Sequence, residues 1–315
     1  MAGSIGQMSG EKAAPPDRWC DLHTHSTASD GRFTPEELVE QAAAQGVRVL
    51  ALTDHDTVDG LDRAWAAARG QGVTFIPGLE LSTDWSRGEC HILGYWLDYR
   101  APSLGEALGR FRESRLERGR RMVERLQALG LPISWERVQE LAQGGTVTRA
   151  HVAEALLEGG GVASRQEAFE RYLGTGRPAY VPRYKLPPEE AVRLIREFHG
   201  VPVLAHPISL EPERDWTDDS SPLYPWPFLE QLLEAGLLGV EAFCGMCSLE
   251  VAFRLAELAA RYGLIVTGGS DFHGFPEDAG LGAVPVPPSA VSDLWRLAQK
   301  CGSPWTDISP EPPFT

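Results

Sequence analysis

Short apolar runs that alternate with amphipathic helical stretches constrain the fold of this chain most. Val47–Thr53 is almost continuously apolar, as a strand covered on both faces must be. Val73–Ser82, Val201–Ala205, Leu238–Phe243 and Leu264–Thr267 read the same way, with Arg18–His23 as a short opening strand and His91–Leu97 as a further one. Helical stretches lie between them. The first has a complete start signal: Thr34 as cap, Pro35 at the first helical position and Glu37 to close a capping box, with Gly46 as the stop. Leu61–Arg69, Glu189–His199, Pro227–Ala235 and Leu249–Tyr262 follow, and Ala290–Gln299 is a helix in the Pro-rich closing region. Repeated βα units with short loops predict an α/β fold, a barrel of parallel strands.

The alternation is interrupted between residues 104 and 180, where Arg, Glu, Leu and Ala dominate and strand signals fade. We read this stretch as a helical insert covering the active site, and residues 18–103 and 181–315 as the barrel. Residues 1–17 read as a flexible leader, since Met1–Asp17 is rich in Gly, Ser, Ala and Pro without an apolar h-region. The 315 residues suffice for one large barrel with an insert. No apolar run reaches the ~18 residues of a membrane span.

With a net charge of −15 the average surface repels a long duplex nucleic acid. A small anionic substrate is compatible with that charge if metals or local cations reverse the sign inside a cleft. Five Cys without regular spacing suit a reducing cytoplasm.

Six of the 8 histidines stand beside strand ends: His23, His25, His55, His91, His206 and His273. Asp21, Asp30, Asp54, Asp56, Glu80, Glu241 and Asp271 occupy similar positions. In a βα barrel the C-terminal strand ends share one face, so residues remote in sequence meet there. His23 and His25, two apart in an extended segment, point to the same side, as ligands of one ion must. Asp271 and His273 repeat the spacing. Nitrogen with carboxylate ligands suits Zn, Mn or Fe rather than Ca or Mg alone.

Asp21-Leu22-His23-Thr24-His25-Ser26 with Ser29-Asp30-Gly31 resembles the opening motif of the PHP (polymerase and histidinol phosphatase) superfamily. Thr53-Asp54-His55-Asp56-Thr57, Pro77-Gly78-Leu79-Glu80, Ala205-His206-Pro207 and Gly269-Ser270-Asp271-Phe272-His273 resemble its later motifs, in the same order. The resemblance implies a distorted seven-stranded (β/α) barrel holding two or three divalent ions. It implies one ion on His23, His25, Glu80 and Asp271, a second on Glu80, His91 and His206, and a third on Asp30, His55 and His273. Some members carry His at the position of Asp30. The chemistry implied is hydrolysis of a phosphoester by a metal-bound hydroxide, with Glu80, His206 and Asp271 as catalytic residues. There is no Gly-x-Ser-x-Gly elbow and no Walker loop to suggest another mechanism.

Thr148-Arg149-Ala150-His151 starts a helix, and free N–H groups beside an Arg and a His favour an anion. This segment, and Ala179-Tyr180-Val181-Pro182 followed by Arg183 and Lys185, resemble the TrpH-like branch of the superfamily. Members of that branch hydrolyse 3′,5′-bisphosphonucleotides and 5′-phosphorylated oligonucleotides. The implied roles are Arg149 and His151 on the substrate phosphate, with Arg183 or Lys185 as further cationic contacts. Read without the resemblance, Arg149 and His151 make an ordinary polar helix start, and Arg183 and Lys185 are solvated loop cations.

The Leu210–Pro227 stretch and Cys244-Gly245-Met246-Cys247 depart from the family pattern. The cysteine pair lacks a second pair and follows a strand, so a dedicated redox or zinc role is not assigned to it. The seven arginines from Arg110 to Arg125, interleaved with glutamates, read as a salt-bridged exposed helix. A histidinol-phosphate-type phosphatase on a small phosphomonoester, and a regulatory module with little activity, are the alternative functions. The insert argues against the first and the full set of motif ligands against the second.

Overall fold

A computed structural model describes residues 19–85, 88–182, 186–211, 214–216 and 228–306. The leader expected over residues 1–17, Arg183, Lys185 and most of Leu210–Pro227 lie outside the described residues. Seven strands form one sheet in sequence order: β1 (Cys20–Asp21), β2 (Val49–Leu52), β3 (Thr74–Trp85), β4 (Gly88–Tyr95), β5 (Val201–Leu204), β6 (Gly239–Cys244) and β7 (Ile265–Gly269). The barrel closes between its first and last strands. Leu22 N–H donates to Gly268 O at 3.3 Å, Asp271 N–H donates to His23 O at 3.0 Å, and Thr24 bridges Phe272 in parallel.

All neighbouring pairs are parallel except those of β4, which runs antiparallel to β3 and to β5. The all-parallel barrel expected above is therefore corrected to a mixed one. The reason is chain length. A parallel crossover needs a dozen or more residues, and β3 ends at Trp85 while β4 begins at Gly88. Only a hairpin fits. It carries His91 to the same barrel mouth as Glu80, because Glu80 pairs with Leu93 and Ser82 with His91.

Ten α-helices are described. α1 (Pro35–Ala44) and α2 (Leu61–Gln71) cover the early strands, and α1 has the capping box read from Thr34 and Glu37. α3 (Pro102–Ala128), α4 (Trp135–Leu141), α5 (Arg149–Glu158) and α6 (Arg165–Ala168) form the helical stretch. α7 (Pro188–Glu197), α8 (Leu229–Ala235), α9 (Leu249–Arg261) and α10 (Pro288–Cys301) complete the barrel. Among the described residues no helix is long and apolar enough to cross a membrane.

The barrel core includes Leu50, Leu52, Ile76, Leu81, Ile92 and Leu204, each at most 2% exposed. Burying one such side chain stabilises by roughly 1.5–3 kcal/mol. A second apolar cluster runs from Met122 through Val138, Val152 and Leu156 to Val181. α3 serves both clusters. Leu104, Leu108 and Phe111 pack in the barrel core, and Met122, Val123 and Leu126 in the second.

Candidate metal centre

The ligand-type residues arrive from the ends of the strands and from the turns just past them. β1 leads into His23 and His25, β2 into His55, β3 carries Glu80, and β4 carries His91. His206 follows β5, and Asp271 and His273 follow β7. The Ser26–Gly31 turn delivers Asp30, and Gly31 has a steric reason to be glycine. A Cβ there would sit 2.3 Å from His25 O. His206 (φ 25°) and Asp271 (φ 56°) take left-handed backbone conformations that cost non-glycine residues energy, so their side chains are aimed by strain as well as by packing.

Glu80 is the hub. It is fully buried, and its Oε2 lies 2.8 Å from His55 Nδ1, 3.4 Å from His25 Nε2 and 3.5 Å from His23 Nε2. Its Oε1 lies 2.9 Å from His91 Nδ1 and 3.1 Å from His206 Nε2. Asp271 Oδ1 stands 3.4 Å from His23 Nε2 and 3.2 Å from His25 Nε2. Three groups have ligand atoms within 4.8 Å of one another: His25, Asp30, His55 and His273; His23, His25 and Asp271; and His55, Glu80 and His91. The nine residues named as metal ligands from the sequence thus converge, with His206 joined through Glu80.

The donors fit divalent ions. His23 Nε2, His25 Nε2, His55 Nδ1, Asp30 Oδ1 and Glu80 Oε2 are buried and lack a hydrogen-bond partner. Buried polar atoms are costly when unsatisfied, and five pointing at one another are what ions between them would satisfy. The charges agree. Burial opposes ionisation of Glu80, Asp30 and Asp271, yet neighbouring histidines hold all three carboxyls well below their usual range. Burial, helped by His273 and His55, drives His25 down to about 3, so its ring is neutral and able to coordinate. Burial also opposes the charge on His23 and His273. Glu241, Asp271 and Glu80 nevertheless hold His23 well above its ordinary value, and Asp30 and Asp271 push His273 up to about 10.

Carboxylates that neighbour the ligands in sequence have structural work. Asp54 accepts from Ser26 N and from the hydroxyls of Ser26 and Ser29, all within 2.7 Å. Asp21 accepts from Ser270 N, Ser270 Oγ and Gly282 N, which ties β1 to the chain past β7. Asp56 accepts from Ser82 N at 2.8 Å and from Arg115 Nε at 2.7 Å. Glu241 supports two ligand segments: Oε1 meets His23 Nδ1 at 2.9 Å, and Oε2 accepts from His206 N at 2.7 Å.

Beside the cluster, His55, His91 and Asp30 form one wall of a cavity of about 120 Å³. The other wall carries Arg149 at the start of α5, with Arg115 and Arg118 from α3. Arg149 pairs with Glu89, and its guanidinium lies 5.7 Å from the Phe169 ring. His151 stands elsewhere. It lines a neighbouring chamber of about 270 Å³ that shares Asp30 with the first. Its Nδ1 accepts from Thr148 N–H at 3.1 Å, which closes the capping box of α5 and leaves the ring proton on Nε2.

Arg115 and Arg118 are 5% and 6% exposed, and the reading of Arg110–Arg125 as an exposed helix is corrected for these two. The signal was present. Leu104, Leu108, Phe111, Met122 and Leu126 trace one stripe along α3, and Arg115 and Arg118 occupy that stripe at its midpoint. Cys244 and Cys247 are joined by a disulfide, their Cα atoms 5.2 Å apart, while Cys20, Cys90 and Cys301 remain thiols. One turn past a strand brings the two Cα atoms within disulfide reach.

The PHP domain family model matches residues 21–175. The chain is 35% identical over 283 residues to the 3′,5′-nucleoside bisphosphate phosphatase of Chromobacterium violaceum, covering 88% of this chain and 95% of that one. It is 36% identical over 282 residues to the 5′-3′ exoribonuclease Rnm of Salmonella typhimurium, covering 88% and 92%. The crystal structure of a Bifidobacterium adolescentis protein assigned as a metal-dependent phosphoesterase superposes with a TM-score of 0.80 at 31% identity, covering 90% of this chain and 98% of the other.

Proposed function

Given that the chain belongs to the PHP-domain family and is a metal-dependent hydrolase of phosphoester bonds, we propose that its substrates are nucleotides: 3′,5′-bisphosphonucleotides or short 5′-phosphorylated oligonucleotides. The observation that carries this reading is the orphaned cluster centred on Glu80, opening onto a cavity walled by arginines. The two relatives act on a nucleoside bisphosphate and on RNA, and both substrates carry more than one phosphate on ribose.

In this reading two or three divalent ions (Mn, Zn or Fe) would be held by His23, His25, Glu80 and Asp271, by Glu80, His91 and His206, and by Asp30, His55 and His273. Such ions supply an activated water near neutral pH and neutralise phosphate oxygens. The chain's own residues do the rest. Glu80 faces His23, His25 and His55 with Oε2 and His91 and His206 with Oε1. His206 Nδ1 is held by Ser209 Oγ at 2.9 Å, which fixes Nε2 toward Glu80. Asp271, whose side chain is 27% exposed, is the cluster carboxylate that faces the open side of the site. Arg149 receives substrate phosphate, His151 donates from Nε2 into the adjoining chamber, and Arg183 and Lys185 add cationic contacts. The helical stretch 104–180 covers the site and keeps bulk water from it. We place the enzyme in the cytoplasm, a location that suits a phosphorylated intracellular substrate.

The test is phosphate release by Mn-loaded protein from adenosine 3′,5′-bisphosphate, a 5′-phosphorylated short RNA, AMP and histidinol phosphate, with His23→Ala as control. Preference for the bisphosphate or the RNA, abolished in the control, is the expected result. Preference for histidinol phosphate would move the assignment to a small phosphomonoester.

A further inference from the structure

We infer that the Cys244–Cys247 disulfide is a reversible redox site whose reactant is a dithiol, and that its reduction weakens the metal centre through the end of β6. The pair lies outside the ligand cluster and takes no part in the hydrolysis.

Three observations carry the redox site. First, its setting is that of a reactive pair. Cys244 ends β6, and Cys247 stands just before Ser248, the cap of the 13-residue helix α9. The sequence shows the strand before the pair, and the fold adds the helix after it. A thiolate at such a helix start is stabilised by the free N–H groups and the dipole. Second, the bond can be reached. Cys244 is 3% exposed, but Cys247 is only partly buried, and Gly245, Met246 and Ser248 beside it are exposed. Both cysteines line an open cavity of about 370 Å³, walled by Leu249, Ala252, Val284 and Pro285. Third, a purely structural role is slight. The bond spans a sequence separation of 3, and the shortest loops remove the least freedom from the unfolded chain. Two apolar clusters already hold the molecule, and the other cysteines, Cys20, Cys90 and Cys301, are thiols. Accessible disulfides are the labile, regulatory kind.

The exchange balances. A thiolate of the dithiol attacks the more accessible sulfur, Cys247 Sγ; the S–S bond breaks, and Cys244 leaves as a thiolate and takes a proton. The second thiol of the reactant, as its thiolate, then attacks the reactant's own sulfur in the mixed disulfide. Cys247 leaves as a thiolate at the start of α9 and is protonated from solvent. Two electrons and two protons pass from the dithiol to the pair, and the dithiol becomes a disulfide. The reverse exchange closes the bond again.

Short backbone steps connect the pair to the ligands. Glu241, on the same strand, meets the His23 ring and accepts from His206 N–H. Cys244 pairs with Gly269 across the sheet, and Gly269 abuts the His23 backbone. Gly245 lies against Ser270, where a Cβ would come within 2.6 Å of Ser270 O, and Ser270 precedes Asp271. With the bond closed, the turn is a fixed wall behind Gly269–Asp271. With it open, the turn gains freedom, and Glu241 and Asp271 lose part of their support.

The experiment equilibrates native, Mn-loaded protein with graded ratios of reduced to oxidised dithiothreitol, without oxygen. Thiols are counted by alkylation and mass. After the dithiol is removed, Mn affinity is read by chelator competition; Mn is used because thiolates prefer softer ions. We expect two thiols to appear together in the native protein, and Cys247→Ser to lack that step. Groups that orient ligands matter by about 10–100-fold in metal affinity, so the reduced protein should bind Mn about tenfold more weakly than the oxidised one. Cys247→Ser should bind like the reduced protein whatever the dithiol ratio. Thiols that appear only in denaturant would overturn the inference, and so would thiols that appear with Mn affinity unchanged. The wild-type comparison decides both points by itself if Cys247→Ser misfolds.

Discussion

Glu241 is fully buried and faces no open cavity, yet its two oxygens orient the His23 ring and the backbone of His206. Partners that orient ligands typically matter by about 10–100-fold in metal affinity. Glu241→Gln should weaken affinity by that factor in a chelator competition while the far-ultraviolet circular dichroism stays native; unchanged affinity would show that the His23 contact is dispensable. His151 offers a different measurement. Its ring is lowered to about 4 by burial, which outweighs the favourable charge of Asp30 and is reinforced by Arg115 and Arg165. The unfolded chain binds a proton at this residue below about pH 6.5 and the folded chain does not. Its stabilising contribution is therefore present above that pH and is lost as pH falls toward 4, by roughly 3 kcal/mol in all. His151→Gln keeps an acceptor for Thr148 N–H. Its denaturant midpoint in chelator should fall less between pH 7 and 5 than that of wild type. At this scale the sequence was informative where a motif is local: every candidate ligand but His91 stands inside one of the quoted motifs. The resemblance placed Asp30 on an ion and left Asp54 without a role, and the fold supplies one: the serines of the Ser26–Gly31 turn occupy Asp54.

Among the elements, β7 and β1 approach so closely that Gly269 has no room for a side chain. A Cβ there would lie 2.4 Å from His23 N and 2.5 Å from His23 Cβ. The obstacle is backbone of a ligand-bearing segment, which cannot swing aside. Gly269→Ala should cost several kcal/mol, at the upper end of single substitutions, and reduce bound metal together with stability. Loss of stability with full metal content would mean the seam relaxes without moving His23. The direction of β4 and the inner face of α3 show what the sequence withheld. Strand signals carry no direction, although the short interval between the strand ending near Ser82 and the one starting at His91 leaves no space for a crossover helix. In α3 the many arginines masked a stripe whose period is plain once Leu104, Leu108 and Phe111 are aligned with Met122 and Leu126. The start of α5 was legible because Thr148 caps it.

For the whole molecule, bound ions and folding are linked. Ions held only by the native fold stabilise it by RT ln(1 + [L]/Kd), about 2.7 kcal/mol at a hundredfold excess over Kd. At roughly 2–4 °C per kcal/mol, a chelator should lower the melting midpoint by about 5–10 °C. His23→Ala should show a smaller drop; an equal drop would place the stabilising ion elsewhere. The two apolar clusters share α3, so the helical stretch and the barrel are joined by a continuous rod rather than by a linker. The closure of the sheet between β1 and β7 also sets a timetable for synthesis. Asp21 and its partner Ser270 lie 249 residues apart, with the ligands of the same seam beside them. At about 5–20 residues per second, the ribosome delivers the second half on the order of ten to fifty seconds after the first. During that interval His23 and His25 are made but Asp271 and His273 are not. A chain released before Asp271 carries seven of the nine ligand residues but lacks the β1–β7 seam that aligns His23 and His25 with Asp271 and His273.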